Sequence, residues 1–334
     1  MIKRRFKLII LAVFFLVPLY CFLSRTYAEE FSSFIETFPN GKIDWDSGYF
    51  YGTGKGYLHL NNGSKARALK VAQAGALSAI LQVASRLKVD ESNTISDLRK
   101  KKIIIQIEGL IHYEPYERKF FKKKYPFYMT TYRAPMNGVK GLTKKLLSKF
   151  GTQFESDRHQ PGQEIDDNTD DISPWLILDA RRIGQNGNPV EPALFPKIMT
   201  KRGEIVYDLN SVEEGAVVER GMARYVASDL NRDELGFLTS NNPLDGLRDL
   251  FSPRSALAEE SRKRKRRGRY IIKDVKQASG LMKTNLVISE KDARDINKEN
   301  ASSRILKKCR VIVIVSSSLG GIEGRSIMHL AFYL

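Results

Sequence analysis

The chain has 334 residues, 42% of them hydrophobic and 10% aromatic, which suits folded domains with their own cores and excludes a disordered polypeptide. Its formal net charge is +17, and 50 Lys+Arg against 38 Asp+Glu remain when the first 28 residues are set aside, a balance of +12 that favours anionic partners. The two cysteines, Cys21 near the start and Cys309 near the end, exclude an internal disulfide framework once the leader is gone.

Lys3, Arg4, Arg5 and Lys7 precede an apolar run of 16 residues, Leu8–Leu23, and Thr26-Tyr27-Ala28 ahead of Glu29 offers a cleavage site. This three-part pattern predicts a signal peptide over residues 1–28, or an inner-membrane anchor if the leader is retained. The run is short against the ~20 apolar residues of a bilayer span, and Pro18 interrupts it. Bulky Tyr20 before Cys21 fits a lipidation site badly. The remainder is expected in the periplasm or at the outer membrane, and export argues against nucleic acid as a partner.

Residues 29–47 read as a polar, irregular lead-in. From Gly48 to Leu60, aromatic and aliphatic residues alternate with glycines, as in a strand with a bulge. Asn61-Asn62-Gly63-Ser64 predicts a turn that caps the helix Lys65–Val89, whose apolar stripe includes Leu69, Ala72, Ala76, Ile80, Val83 and Leu87. The small residues of that helix predict close packing on a sheet. Lys102–Ile111 and Tyr125–Arg133 read as strands, the second placing Tyr125, Phe127, Met129 and Thr131 on one face. Tyr113–Lys124 between them is dense in charge and aromatics, and Gly138–Phe150 reads as an amphipathic helix. Together these predict an α+β unit over residues 41–151: strand, long helix, strand pair, helix.

Residues 152–174 hold Pro161, Gly162, Pro174 and seven carboxylates, the composition of an acidic linker. The second unit, 175–316, is expected to be β-rich. It opens with the buried strand beginning at Trp175, continues with a hairpin from Ala193–Met199 and Glu204–Asp208, and passes through 215–228, helix or strand by pattern. A basic loop over 259–269 carries Arg262, Lys263, Arg264, Lys265, Arg266 and Arg267. Arg269–Val275, a strand at Asn285–Ile288 feeding a helix capped by Ser289, and Cys309–Val315 complete the unit before a tail at 317–334.

No catalytic constellation emerges. Gly52-Thr53-Gly54-Lys55-Gly56 lies within an alternating strand, and the helix begins several residues later without the Lys-Ser/Thr ending that cradles phosphate. His59, His112, His159 and His329 lack partners at metal-ligand spacing, so no metal and no cofactor are expected. Asp179 before two arginines reads as an ion pair or turn residue, and Cys309 as a buried thiol beside a strand. Arg262–Arg267 is the strongest electrostatic feature. It reads as a solvated loop or, behind a signal peptide, as a contact for anionic lipid or lipopolysaccharide, about 1 kcal/mol per residue.

The glycine-containing strand, the Ala-rich helix from Lys65-Ala66-Arg67, and Tyr132-Arg133-Ala134-Pro135 followed by Gly141-Leu142-Thr143 resemble the domain of the Lpp-twenty type of bacterial envelope lipoproteins. The N-terminal domain of the flagellar assembly protein FlgT is similar in layout. Trp175–Gly184, Pro192–Asp208 and the stretch from Asn285 to Val315 are similar to longer, uncharacterised relatives of those lipoproteins. The resemblance implies an exported, non-enzymatic envelope component that binds a protein partner or itself. A flagellum-associated assembly or ring factor and an envelope hydrolase remain as alternatives. It carries over no catalytic residue.

Overall fold

The computed structural model describes residues 32–103, 108–150, 174–228 and 270–315. The expected leader 1–28, the basic run Arg262–Arg267, nearly all of the expected acidic linker and the expected tail 317–334 lie outside them. The fold is α+β, with a β-rich second half.

The first half is built around helix α1, Lys65–Arg86, whose N-terminus is capped by the Ser64 hydroxyl accepting from the Arg67 amide. Its buried stripe is mostly alanine: Ala68, Ala72, Ala76, Ala79 and Ala84, with Ile80 and Val83. Beneath it runs β4, Tyr49–Tyr57. A Cβ placed on Gly52, Gly54 or Gly56 would lie 2.2, 2.2 or 1.8 Å from helix backbone atoms of Ile80, Ala72 and Ala68 respectively. The alternating glycines therefore exist so that the backbones of strand and helix can touch.

Around β4 the sheet adds β2 (Ile35–Phe38), β3 (Gly41–Asp44), β5 (Glu114–Phe121) and β6 (Phe127–Pro135), in the order β2-β3-β4-β6-β5, all antiparallel. Helices α2 (Ile95–Lys100), with a Thr94/Asp97 capping box, and α3 (Leu142–Phe150) close the unit.

In the second half, β7 (Trp175–Asp179), β10 (Arg224–Ala227), β11 (Tyr270–Asp274) and β14 (Val311–Val315) form a parallel sheet, joined at its edge by antiparallel β1 (Ser32–Ser33). The order is β1-β10-β14-β7-β11. The unbroken apolar run of β14 suits its central place, since strands of parallel sheets bury both faces. A second, four-stranded sheet contains β8 (Ile198–Thr200), β9 (Ile205–Tyr207), β12 (Gln277–Ser279) and β13 (Asn285–Ile288). Helices α4 (Arg181–Gln185), α5 (Glu214–Arg220) and α6 (Glu290–Ser303) connect the strands, and α6 is capped by Ser289.

The two halves share one buried core, which runs from Ile43, Phe50 and Ile80 through Tyr207, Tyr225, Leu286 and Val313. Trp45 meets Tyr225 edge-on at 5.6 Å, and Asp46 pairs with Arg224 at 2.7 Å. The amides of Leu194 and Phe195 donate to the carbonyls of Lys88 and Val89 at 3.0 and 2.8 Å. Glu91 accepts from Lys197 at 2.9 Å and from the Asn285 amide.

Lys88 stands at this seam between two carboxylates, Glu36 at 3.3 Å and Glu191 at 3.2 Å. Burial raises the Glu36 carboxyl above its ordinary range, Lys88 opposes that shift, and Glu191 reinforces it. Burial alone would lower Lys88, but the two carboxylates together raise it. A carboxyl whose folded pKa is raised adds stability that is complete below its unfolded value and is lost as pH rises through the folded one. Glu36→Gln, which removes this titration, should therefore gain in urea midpoint relative to the native chain as pH rises from 4.5. A difference between the two proteins that stays flat with pH would contradict the assignment.

The structure corrects several sequence expectations. The supposedly irregular 29–47 carries β1, β2 and β3. β4 pairs with β6 through nine consecutive residues without a bulge, so its glycines answer to the helix above them. The described part of Lys102–Ile111 is no strand: Lys102 has φ +60° and Glu108–Leu110 is a 3-10 turn that buries Leu110. The strand lies instead at β5, in the charged stretch 113–124, as a sheet edge. Residues 215–228 divide into α5 and β10. The helix expected from Gly138 begins at Leu142, after a turn with Gly138 at φ +88°.

Candidate functional site

Because Gly52, Gly54 and Gly56 face α1, the odd-numbered residues of β4 face the other way. This second face of the first sheet carries a ladder of aromatic and basic side chains. The register sets Tyr51 opposite Arg133, Thr53 opposite Thr131, Lys55 opposite Met129 and Tyr57 opposite Phe127. On the flanks, Lys42 of β3 lies opposite Tyr51, and Phe121 of β5 lies opposite Phe127.

Two clusters form on it. In the first, the Arg133 guanidinium lies 4.7 Å from the Tyr49 ring and 5.2 Å from the Tyr116 ring, and bonds Glu114 at 2.6 Å. Tyr116, in the bulge of β5, packs edge-on against Tyr51 at 5.2 Å, and the Lys42 ammonium sits 4.8 Å over Tyr51. Burial raises the Tyr51 hydroxyl above its ordinary pKa, so it stays protonated at neutral pH. In the second, Phe127 stacks on Phe121 at 4.8 Å and tilts onto Tyr57 at 5.1 Å, with Lys55 5.8 Å above it. His59 bridges Tyr57 and Tyr125, and Lys124 reaches over Tyr125. Between the clusters the hydroxyls of Thr53 and Thr131 share a 3.0 Å hydrogen bond, and Lys119 pairs with Glu117.

Cation–π contacts of this kind hold the charged groups at the surface while keeping their stems against the rings. Tyr116 and Tyr125 remain 54% exposed, so the ladder presents open ring surface beside positive charge. No described helix lies on this face. Sequence reasoning identified the contribution of β6 and its approach, Tyr125, Phe127, Met129 and Thr131, and missed β5, where charged and aromatic residues alternate too loosely for a strand pattern.

The other singled-out residues are placed elsewhere. Asp179, at the end of β7, is held by Arg181 through two bonds of 2.8 and 2.6 Å, and this pairing outweighs burial to lower its pKa. It is the ion pair the sequence suggested. The described histidines, His59 and His112, are both in the first half, away from it in sequence and sheet. Burial pushes the Cys309 thiol up to about 12, beside the Tyr207 hydroxyl. Gly52, Gly54 and Gly56 pack on helix backbone rather than opening a helix. Among the described residues no three His, Cys, Asp or Glu side chains are grouped to hold a metal ion. A depression of about 400 Å³ lies between the β8–β9 turn and the start of α6, lined by Lys201, Arg202, Lys276, Ser289 and Glu290. Glu290 and the Asp274 partner of Lys276 offset part of its positive charge.

Fold and surface together define a two-part α+β protein with a helix-backed sheet whose open face is aromatic and basic. Residues 175–317, less than half of the chain, match the family model of Treponema pallidum Tp0624, second domain. No curated protein matches the chain.

Proposed function

We propose that the chain is an exported, non-catalytic component of a bacterial envelope whose working surface is the open face of the first sheet. The observation that carries this reading is the asymmetry of that sheet: α1 covers one side, and the other keeps Tyr116 and Tyr125 more than half exposed among cations. Exposed aromatics beside arginine and lysine are the side chains that recognition surfaces favour. The basic start and apolar run of residues 1–28 support export, and the resemblance of residues 41–151 to envelope lipoprotein domains supports the compartment. Arg262–Arg267 would add affinity for anionic lipid or lipopolysaccharide.

The test is photo-crosslinking in intact cells, with a benzophenone side chain placed at position 116 or 125, and at position 71 on the solvent side of α1 as the control. Adducts from 116 and 125 but not from 71, on a processed chain in the envelope fraction, are expected. Adducts from 71 alone, or an unprocessed chain dissolved in the cytoplasm, would overturn the reading.

A further inference from the structure

The ladder has a direction as well as a composition. Its two clusters lie at the two ends of β4, centred on Tyr51 and Tyr57. Six residue steps of extended chain separate those tyrosines, a span of roughly 20 Å. The positions between them are mostly polar, Thr53 and Thr131 with their shared hydrogen bond, Lys55 and Lys119, with Met129 between the two lysines. A ligand touching both clusters must therefore be long and thin, apolar on the faces that meet the rings, and hydrogen-bonding along its middle. Small molecules are too short to span it, and a flat protein surface would not use the polar gap.

Charge decides the rest. Among the described residues, neither Lys42 nor Lys55 is in an ion pair; both lie over rings instead. Lys122, Lys123 and Lys124 crowd the β5–β6 turn beside the second cluster, all exposed. The carboxylates on this face are Asp44, which lies opposite Tyr49 and accepts from the Ser47 amide, and Glu114 and Glu117, which are committed to Arg133 and Lys119. Lys42 and Arg133 are balanced by Asp44 and Glu114 at the first cluster, and the positive surplus gathers toward the second, at Lys55 and Lys122–Lys124.

Resting on the reading of this face as the working surface, we propose that it binds a strand of anionic polysaccharide laid along β4 and β6. Tyr116 at one end and Tyr125 at the other meet the C–H faces of sugar rings, while their hydroxyls remain free for the solvent-facing groups of the polymer. Lys42, Lys55 and Lys124 answer its carboxylates or phosphates. The paired threonines and Lys119 lie under the intervening sugars. A single-stranded nucleic acid offers ring faces and charge as well, but an exported protein does not meet it as its ordinary partner.

The test uses the full mature chain and a fluorescent oligogalacturonate of about ten sugars, long enough for the roughly 20 Å span. Maltodextrin of the same length supplies the rings without charge, polyphosphate the charge without rings, and oligo-dT both in nucleic-acid form. Oligogalacturonate should bind saturably and more tightly than the other three. The double replacement Tyr116→Ala, Tyr125→Ala should weaken it at least about tenfold, the scale of losing stacked rings. Lys55→Gln with Lys124→Gln should weaken it and flatten its salt dependence. All four side chains are exposed, so unchanged melting would show that the fold is intact. Polyphosphate or oligo-dT binding as tightly as the sugar, no binding by any probe, or tyrosine variants that bind like the native chain would each overturn the proposal. If crosslinks still form at 116 and 125 in cells while the polysaccharide fails, the working surface stands and only its ligand is wrong.

Discussion

Replacing Gly54 by valine should destabilise the protein by about 3 kcal/mol, the upper end for an overpacked core. A Cβ there would sit 2.2 Å from the Ala72 carbonyl oxygen and 2.3 Å from the Ala76 amide nitrogen. Both are helix backbone, so no side chain can swing aside. Either α1 lifts off the sheet and loses its alanine stripe, or β4 breaks its register with β6. The neighbouring Lys55 faces the other way and is exposed, so Lys55→Val should change stability by no more than about 0.5 kcal/mol. Urea midpoints of the two variants check this pair, and equal losses at both positions would contradict the packing described.

Trp45→Ala should cost about 3–5 kcal/mol, as expected for emptying a large aromatic site. Trp45 is 5% exposed and lies at the seam, edge-on to Tyr225 and next to the Asp46–Arg224 pair. The chain has two tryptophans, and the other, Trp175, opens β7 in the second half. In the Trp45→Ala variant all tryptophan fluorescence therefore reports on the second half. Its urea transition should move down with the rest of the molecule, because the core is continuous across the seam. A Trp175 transition that stays at the native midpoint would mean that the halves fold independently.

Local signals carried much of the fold. The Ser64 cap, the 3.6-residue stripe of α1 and the alternation in β4 all lie within short windows, where propensity and burial agree. The apolar runs of β7 and β14 were equally plain. In Lys102–Ile111 the described ends depart from the strand pattern for local reasons that the sequence does not show. There the chain turns at Lys102 and sends Leu110 and Ile111 into the core from a 3-10 turn. β5 escaped notice because an edge strand keeps its charges. The seam left no local trace, since Trp45 and Tyr225, or Glu36 and Glu191, are brought together only by the finished fold. For the same reason the aromatic ladder was visible in β6 alone, while its width depends on the register with β4 and β5.

The order of the parallel sheet also governs when the protein can fold. Its middle strand, β14, is the last described element of the chain, and β1, the first, pairs with β10 nearly two hundred positions later. Neither β10 nor β7 gains its shared neighbour until residue 311 has emerged. Contacts so distant along the chain make closure slow. The first sheet, whose strands all lie between Ile35 and Pro135, can close well before the parallel sheet of the second half gains its middle strand, so the two halves are completed at different times even though they share one core.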